Sequence, residues 1–187
     1  TSANWNIAQT VTLTGANDDL VDGSQTSTVT FSVVDGSSDD DFDGVTDQTV
    51  SVTTSDSDIA GFTVIESGGT TTVAEDGSST DDFTVVLDAQ PTSDVVLSIV
   101  SADTGEVTVS PATLTFTSGN WDSSQTVTVT GVDDSLIDGS QTTVVTIAVV
   151  DASSNDSFDS LLDQTVSVST ADDDTAGFTV SQTDGSS

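Results

Sequence analysis

Apolar and polar residues alternate with a period of two through most of the chain, as in Thr-Val-Thr-Val-Thr at 126–130 and Thr-Val-Ser-Val-Ser at 165–169. Such alternation gives a strand one buried and one exposed face, and the Val and Thr that carry it fit a pleated surface. Runs bounded by Gly, Asp, Ser and Pro predict one strand in two pieces at 62–65 and 71–74. Further strands are predicted at 83–87, 95–100, 113–116, 125–132, 142–150 and 165–170. No segment carries a helical period. Seven short strands in a stretch of about 115 residues imply an all-β fold, an antiparallel sandwich of the immunoglobulin-like kind.

The pattern repeats. Thr1-Ser2-Ala3-Asn4-Trp5 returns as Thr117-Ser118-Gly119-Asn120-Trp121, and the match runs on to Gly61-Phe62-Thr63-Val64 against Gly177-Phe178-Thr179-Val180. The offset is constant at 116, and 42 of the 71 overlapping positions are identical. Residues 1–60 are therefore expected to be the last three strands of one repeat, 61–175 a complete sandwich, and 176–187 the first strand of the next. With no methionine and cuts that respect no domain boundary, the chain is expected to be a window on a longer polypeptide or a processed product. Three strands without a facing sheet leave apolar surface that neighbouring material must cover.

Composition narrows the function. The 187 residues carry 32 acids and no lysine, arginine or histidine, a formal net charge of −32. No side-chain salt bridge can form, and nucleic acid or anionic lipid surfaces are repelled, because binding them requires cationic side chains. A cation, a basic partner or a salty medium is required instead. Hydrophobic residues make up 33% of the chain, enough to build a core and to set it apart from acidic disordered sequences. Cysteine is absent, which excludes disulfides and thiolate metal sites. No apolar run approaches the roughly 18 residues of a membrane span.

Catalysis finds little to work with. Cys, His, Lys and Tyr are all missing, which leaves carboxylates as the general bases and nucleophiles. A glycosidase-type carboxylate pair is formally available, but nothing in the sequence isolates one acid in an apolar setting. The chain is not expected to be an enzyme. Trp121 lies in the turn before the strand at 125–132 and Trp5 in the equivalent turn of the partial repeat, and an end-of-core plug is favoured there over a sugar-stacking platform.

The strand order decides where the acids go. In an up-and-down succession, the connections after 71–74, 95–100 and 125–132 share one end of the sandwich with the end of 165–170. Glu75, Asp76, Glu106, Asp133, Asp134 and Asp138 thus converge on the triplet Asp172, Asp173 and Asp174. Turns collect Asp for local reasons, since its side chain bonds nearby backbone groups. Here, however, acids come as pairs and triplets with no counter-charge in the chain. Hard calcium ions take six to eight oxygens in loose geometry, whereas zinc prefers the nitrogen and sulfur ligands this chain lacks. A second acidic run, Asp39-Asp40-Asp41-Phe42-Asp43-Gly44, matches the opening of an EF-hand loop with Asp47 at the ninth position. Its twelfth position is Val50 rather than Glu, so a solvated acidic loop is the better reading.

Several of these residues also carry a family likeness. Val73-Ala74-Glu75-Asp76-Gly77, Leu114-Thr115-Phe116, Val132-Asp133-Asp134-Ser135-Leu136-Ile137-Asp138 and Asp172-Asp173-Asp174-Thr175-Ala176-Gly177-Phe178 resemble the Calx-beta family. That family comprises calcium-binding domains of sodium/calcium exchangers and repeats of large bacterial surface proteins. The resemblance implies calcium ligation by Glu75, Glu106, Asp133, Asp134, Asp138, Asp172, Asp173 and Asp174. In the partial first repeat it implies a thinner set, Asp18, Asp22, Asp56 and Asp58, where Asn17 and Ser57 replace two of the acids.

Near-identical repeats suit an extended object built module by module. The expectation is a calcium-stabilised structural repeat of an extracellular or cell-surface filament, stalk or adhesin, partnered by neighbouring repeats of its own kind in a homopolymeric filament or long tandem array. An exchanger-type calcium sensor would need one or two tuned modules rather than copies. A carbohydrate-binding adhesin module, with a glycan or surface target, would need an exposed aromatic platform. Halophilic adaptation would scatter acids over faces rather than gather them in loops at one end.

Overall fold

The structure is a computed structural model, and it describes residues 3–182. The chain divides into two compact units, Thr1–Asp58 and Ile59–Ser187. The first unit holds two strands, β1 (Gln25–Phe31) and β2 (Gln48–Thr54), paired antiparallel.

In the second unit the strands are β3 (Phe62–Glu66), β4 (Thr71–Ala74), β5 (Thr80–Leu87), β6 (Val95–Ser101), β7 (Val107–Ser110), β8 (Thr113–Phe116), β9 (Gln125–Gly131), β10 (Gln141–Val149) and β11 (Gln164–Ala171). They form two sheets, one in the order β4-β11-β10-β6-β8 and the other β3-β5-β9-β7. The result is an all-β, immunoglobulin-like sandwich. No α-helix occurs among the described residues, only 3-10 turns of three residues each.

The first strand of the module does come in two pieces, and its break has a local cause. Gly68 and Gly69 both take positive φ, 65° and 83°, which L side chains disfavour, and there the chain leaves one sheet for the other. β3 pairs antiparallel with β5, while β4 pairs parallel with β11.

The period-two pattern then closes the core. Phe83, Val85 and Leu87 of β5 and Val127 and Val129 of β9 face Leu97, Ile99, Val145, Ile147, Val166 and Val168, and each is 3% exposed or less. Each large side chain removed from water in this way contributes about 1.5–3 kcal/mol. Phe158, from the connection between β10 and β11, is fully buried as well. The same connection is latched by Asn155, whose Nδ2 donates to Thr92 Oγ1 at 2.5 Å and to Ser93 Oγ at 3.0 Å.

Three features differ from the sequence expectation. Residues 107–110 form a strand of their own, so the module has nine strand segments rather than the eight expected, the two pieces of the first strand being counted separately. β7 pairs with β9, and after Pro111 and Ala112 the chain crosses to pair β8 with β6. The expected strand at 9–16, counterpart of β9, is not formed. β9 is held between β5 and β7, and the described residues of the first unit form no counterpart of either. Likewise Gly177–Val180, counterpart of the start of β3, forms no strand and leaves Phe178 90% exposed. The remainder of that expected strand, 183–187, lies outside the described residues.

Candidate metal centre

Four backbone segments meet at one end of the sandwich, and backbone hydrogen bonds set their spacing. The Glu75 N–H donates to the Ala171 carbonyl at 2.9 Å, which joins the end of β4 to the end of β11. The Val132 N–H donates to the Glu106 carbonyl at 2.9 Å, and the Gly131 N–H to the Ser79 carbonyl at 3.1 Å. β9 and β4 approach so closely that a Cβ on Gly131 would lie 2.0 Å from the Ala74 carbonyl oxygen. Only glycine permits that approach.

Within this frame Glu75, Glu106 and Asp134 each place a carboxyl oxygen within 4.8 Å of the others. Glu75 is 1% exposed, and its Oε1 has no hydrogen-bond partner. Glu106 and Asp134 are half-buried, and Glu106 Oε2 is likewise buried and unpartnered. Burial and the charges of Asp134, Glu106 and Asp138 push the Glu75 carboxyl up to about 7. Glu106 is raised by burial and by Asp138, Asp103, Asp134 and Asp172.

A second layer lies toward the chain's exit from β11. Asp174 is raised by burial and by Asp173, Asp172, Asp133 and Asp134, and its Oδ2 is buried without a partner. Asp133, Asp138 and Asp173 are exposed. Asp172 has a different task. Its Oδ2 accepts from the Gly139 N–H at 2.8 Å and its Oδ1 from the Asp174 N–H at 2.8 Å. Asp134 Oδ1 similarly accepts from the Leu136 N–H at 2.6 Å. Asp76, in the same connection as Glu75, is spent on the Ser78 and Ser79 N–H groups, which lower its pKa.

The first unit reproduces part of this layout. Asp56 Oδ2 accepts from the Asp22 and Gly23 N–H groups at 3.1 and 2.7 Å, and its Oδ1 from Asp58 N–H at 2.7 Å; these bonds hold its pKa down. Asp58 is raised by burial and by Asp56, Asp19 and Asp18. This unit holds no counterpart of Glu75 or Glu106.

Two acids went unrecognised in the sequence. Asp103 acts on Glu106 but caps its own turn, accepting from the Gly105 N–H at 2.9 Å, and Asp19 is exposed. Neither stands in a pattern that marks it. The EF-hand-like run spends Asp39 on a turn, its Oδ1 accepting from the Asp41 N–H at 3.1 Å. Trp5 is 81% exposed and Trp121 half-buried, with its carbonyl accepting from the Leu87 N–H at 3.1 Å.

The donor set consists of carboxylate oxygens alone. Three buried oxygens, on Glu75, Glu106 and Asp174, have no protein partner, and no residue of the chain can supply a positive charge. Buried carboxyls in that position must either hold protons or meet a cation. The residues fit a hard divalent ion of calcium's type.

No protein-family profile matches the chain, and no curated protein matches it. Among solved structures, domains 4 and 5 of the S-layer protein SbsC align over 68% of this chain and 54% of theirs, at 23% identity and TM-score 0.40. The E. coli chaperone DraB aligns over 64% of this chain and 58% of its own, at 9% identity and TM-score 0.42. The apo form of the Calx CBD1 domain aligns over 60% of this chain and 98% of its own, at 15% identity and TM-score 0.39. The chain thus spans little more than half the length of the first two. At these TM-scores the fold assignment rests on the chain's own sheets.

Proposed function

We propose that the chain is a calcium-stabilised structural repeat of an extracellular or cell-surface filament, stalk or adhesin, with a module of Calx-beta type. One observation carries the reading. The Glu75 carboxyl is 1% exposed with an unpartnered oxygen, and it faces Glu106 and Asp134 within 4.8 Å in a chain with no cationic side chain. Glu75, Glu106 and Asp134 would hold the ion. Asp133, Asp138, Asp173 and Asp174 would complete its shell or hold further ions, and Asp172 would keep the loops in register. In the first unit Asp18, Asp22, Asp56 and Asp58 would form the smaller counterpart.

When bound, the ion supplies the positive charge that the chain lacks, at the end from which the polypeptide leaves the module. Its role is cohesion. The repeat at offset 116 supports an array of like modules rather than a single sensor, and an extracellular setting supplies the calcium that a modest site needs. Thermal unfolding in calcium and in chelator at matched ionic strength tests the reading, with a calorimetric titration against calcium and magnesium. A midpoint that rises with calcium and far less with magnesium is expected. An unchanged midpoint overturns the proposal.

A further inference from the structure

One broad outer face of the second unit carries no charge. The strands β4, β11, β10, β6 and β8 contain none of the chain's 32 acids, whereas the other sheet holds Glu66, Asp81 and Asp82. Across β10 and β11 the outward positions set Thr142 beside Ser169, Val144 beside Ser167 and Thr146 beside Thr165, and all but the half-buried Thr146 are exposed. Val144 is 41% exposed, and Val100 of β6, on the same face, 57%. The acids stand around this field and not in it. Asp94 precedes β6, Asp138 and Asp151 bracket β10, and Asp163 and Asp172 bracket β11.

The fold itself tolerates an acid at such a position, since Asp82 of β5 stands beside Thr128 of β9 on the outer surface of the other sheet. The first unit, taken by itself, repeats the neutral pattern. β1 and β2 contain no acid, and their exposed positions set Thr26 beside Thr53, Thr28 beside Ser51 and Thr30 beside Thr49. The Thr26 and Thr53 hydroxyl oxygens lie 3.4 Å apart. Neutrality of this sheet face is thus a property of the repeat, in a chain whose net charge is −32.

We propose that the outer face of β4, β11, β10, β6 and β8 is where two copies of this chain pack side by side. Electrostatics selects the occupant. A basic partner would be drawn to the acidic loops, and a sugar would want an aromatic platform, whereas no aromatic side chain points outward from these strands. A second copy bears the same charge of −32, and it can come into contact only where neither partner presents a carboxylate, because like charges set against each other cost several kcal/mol. Hydroxyls also make the face self-complementary. Each Ser or Thr both donates and accepts, while a carboxylate only accepts, so the patch can meet itself about a two-fold axis with Val144 and Val100 as apolar contacts. Size then sets the strength. Five strands about 4.8 Å apart and about 20 Å long offer roughly 500 Å² per copy, close to the total of about 1,000 Å² at which specific interfaces begin. One module associates weakly, and strings of modules far more firmly, as each contact makes the next intramolecular.

The pairing needs no calcium, so its test runs in chelator and its outcome leaves the metal reading untouched. Sedimentation of the full chain is followed up to about 1 mM, at low salt and at about 0.5 M sodium chloride, where repulsion between the acidic rims is screened. Val144→Asp and, separately, Ser167→Asp put an acid on the face, and Thr126→Asp puts one on the outer surface of the other sheet; the melting midpoint of each variant reports its folding. The expected result is a reversible dimer with Kd on the order of 0.1–1 mM at high salt, and a weaker one at low salt. Either face variant should weaken it at least ~10-fold, and Thr126→Asp less than ~2-fold, since only the former set like charges against each other across the two-fold axis. A chain that stays monomeric throughout overturns the proposal. So does a dimer that ignores both face variants, or one that Thr126→Asp weakens equally.

Discussion

The Gly139 N–H donates to Asp172 Oδ2 at 2.8 Å, and in the first unit the Gly23 N–H makes the same bond to Asp56 Oδ2 at 2.7 Å. Both glycines sit at positive φ, 76° and 71°, with open space where a Cβ would point, so the turn conformation and not crowding requires them. A carboxylate that binds backbone amides in this way fixes a loop before any ion arrives. Asp172→Ala should therefore lower metal-free stability by roughly 1–2 kcal/mol, the worth of two such bonds, and also weaken calcium binding. Asp173→Ala, at an exposed position, should leave metal-free stability unchanged. Urea unfolding in chelator separates the two.

The acids at the buried end should make metal-free stability fall as pH rises. The Glu75 carboxyl stands near 7 in the folded state against 4.5 as its ordinary value, and Glu106 and Asp174 are also raised. A group with a raised folded pKa contributes stability that is complete below its unfolded value and lost as pH climbs through the folded one. In chelator the melting midpoint should drop between about pH 4.5 and 7. Glu75→Gln should flatten that drop, while calcium should restore the midpoint above pH 7. A metal-free midpoint that rises over this interval would contradict the assignment.

Depth should separate specific ligands from general acidity. Glu75→Gln combined with Asp134→Asn removes two of the three converging carboxylates and should lower calcium affinity at least ~100-fold, since a hard ion's affinity follows its count of charged ligands. Asp156→Asn with Asp163→Asn, both exposed in the connection between β10 and β11, removes the same charge and should change affinity by less than about threefold, as expected of screened distant charges. Calorimetry on both double variants decides it. Equal losses would favour a diffuse ion atmosphere.

Equivalent positions in the repeat should respond differently to the same truncation. Ile147 is fully buried, and Ile147→Ala should cost about 2–5 kcal/mol. Phe31, its counterpart, is 42% exposed, and Phe31→Ala should cost less than about 1 kcal/mol, since a half-exposed side chain loses little burial. Chemical unfolding monitored separately in each unit reads the contrast.

Much of the second unit was legible because alternation reports burial directly. Val127 and Val129 or Val166 and Val168 can face inward only together, and the strand order then sets which loops share an end. Residues 107–110 escaped because four residues stopped by a proline give too short a pattern, and the crossing from β7 to β8 depends on which sheet each one joins. The missing strand at 9–16 shows the converse limit. Its alternation is as regular as that of β9, but a strand exists only where a partner offers hydrogen bonds. In the site, the acidic loops were visible, whereas the burial of Glu75 and the engagement of Asp172 with backbone amides depend on loop geometry that no spacing encodes.

The parallel pairing of β4 with β11 has a mechanical consequence. The chain enters the module along β3 and β4 and leaves it along β11, and neighbouring parallel strands entered and left in this order have their outer ends at opposite ends of the sandwich. Tension along the polypeptide then pulls the two strands past each other lengthwise. The hydrogen bonds from Thr71 to Ala74 are loaded in shear, all at once, and not peeled open in turn. The Glu75–Ala171 bond closes that ladder at the end where Asp172 begins, so load on the module converges on the acidic loops.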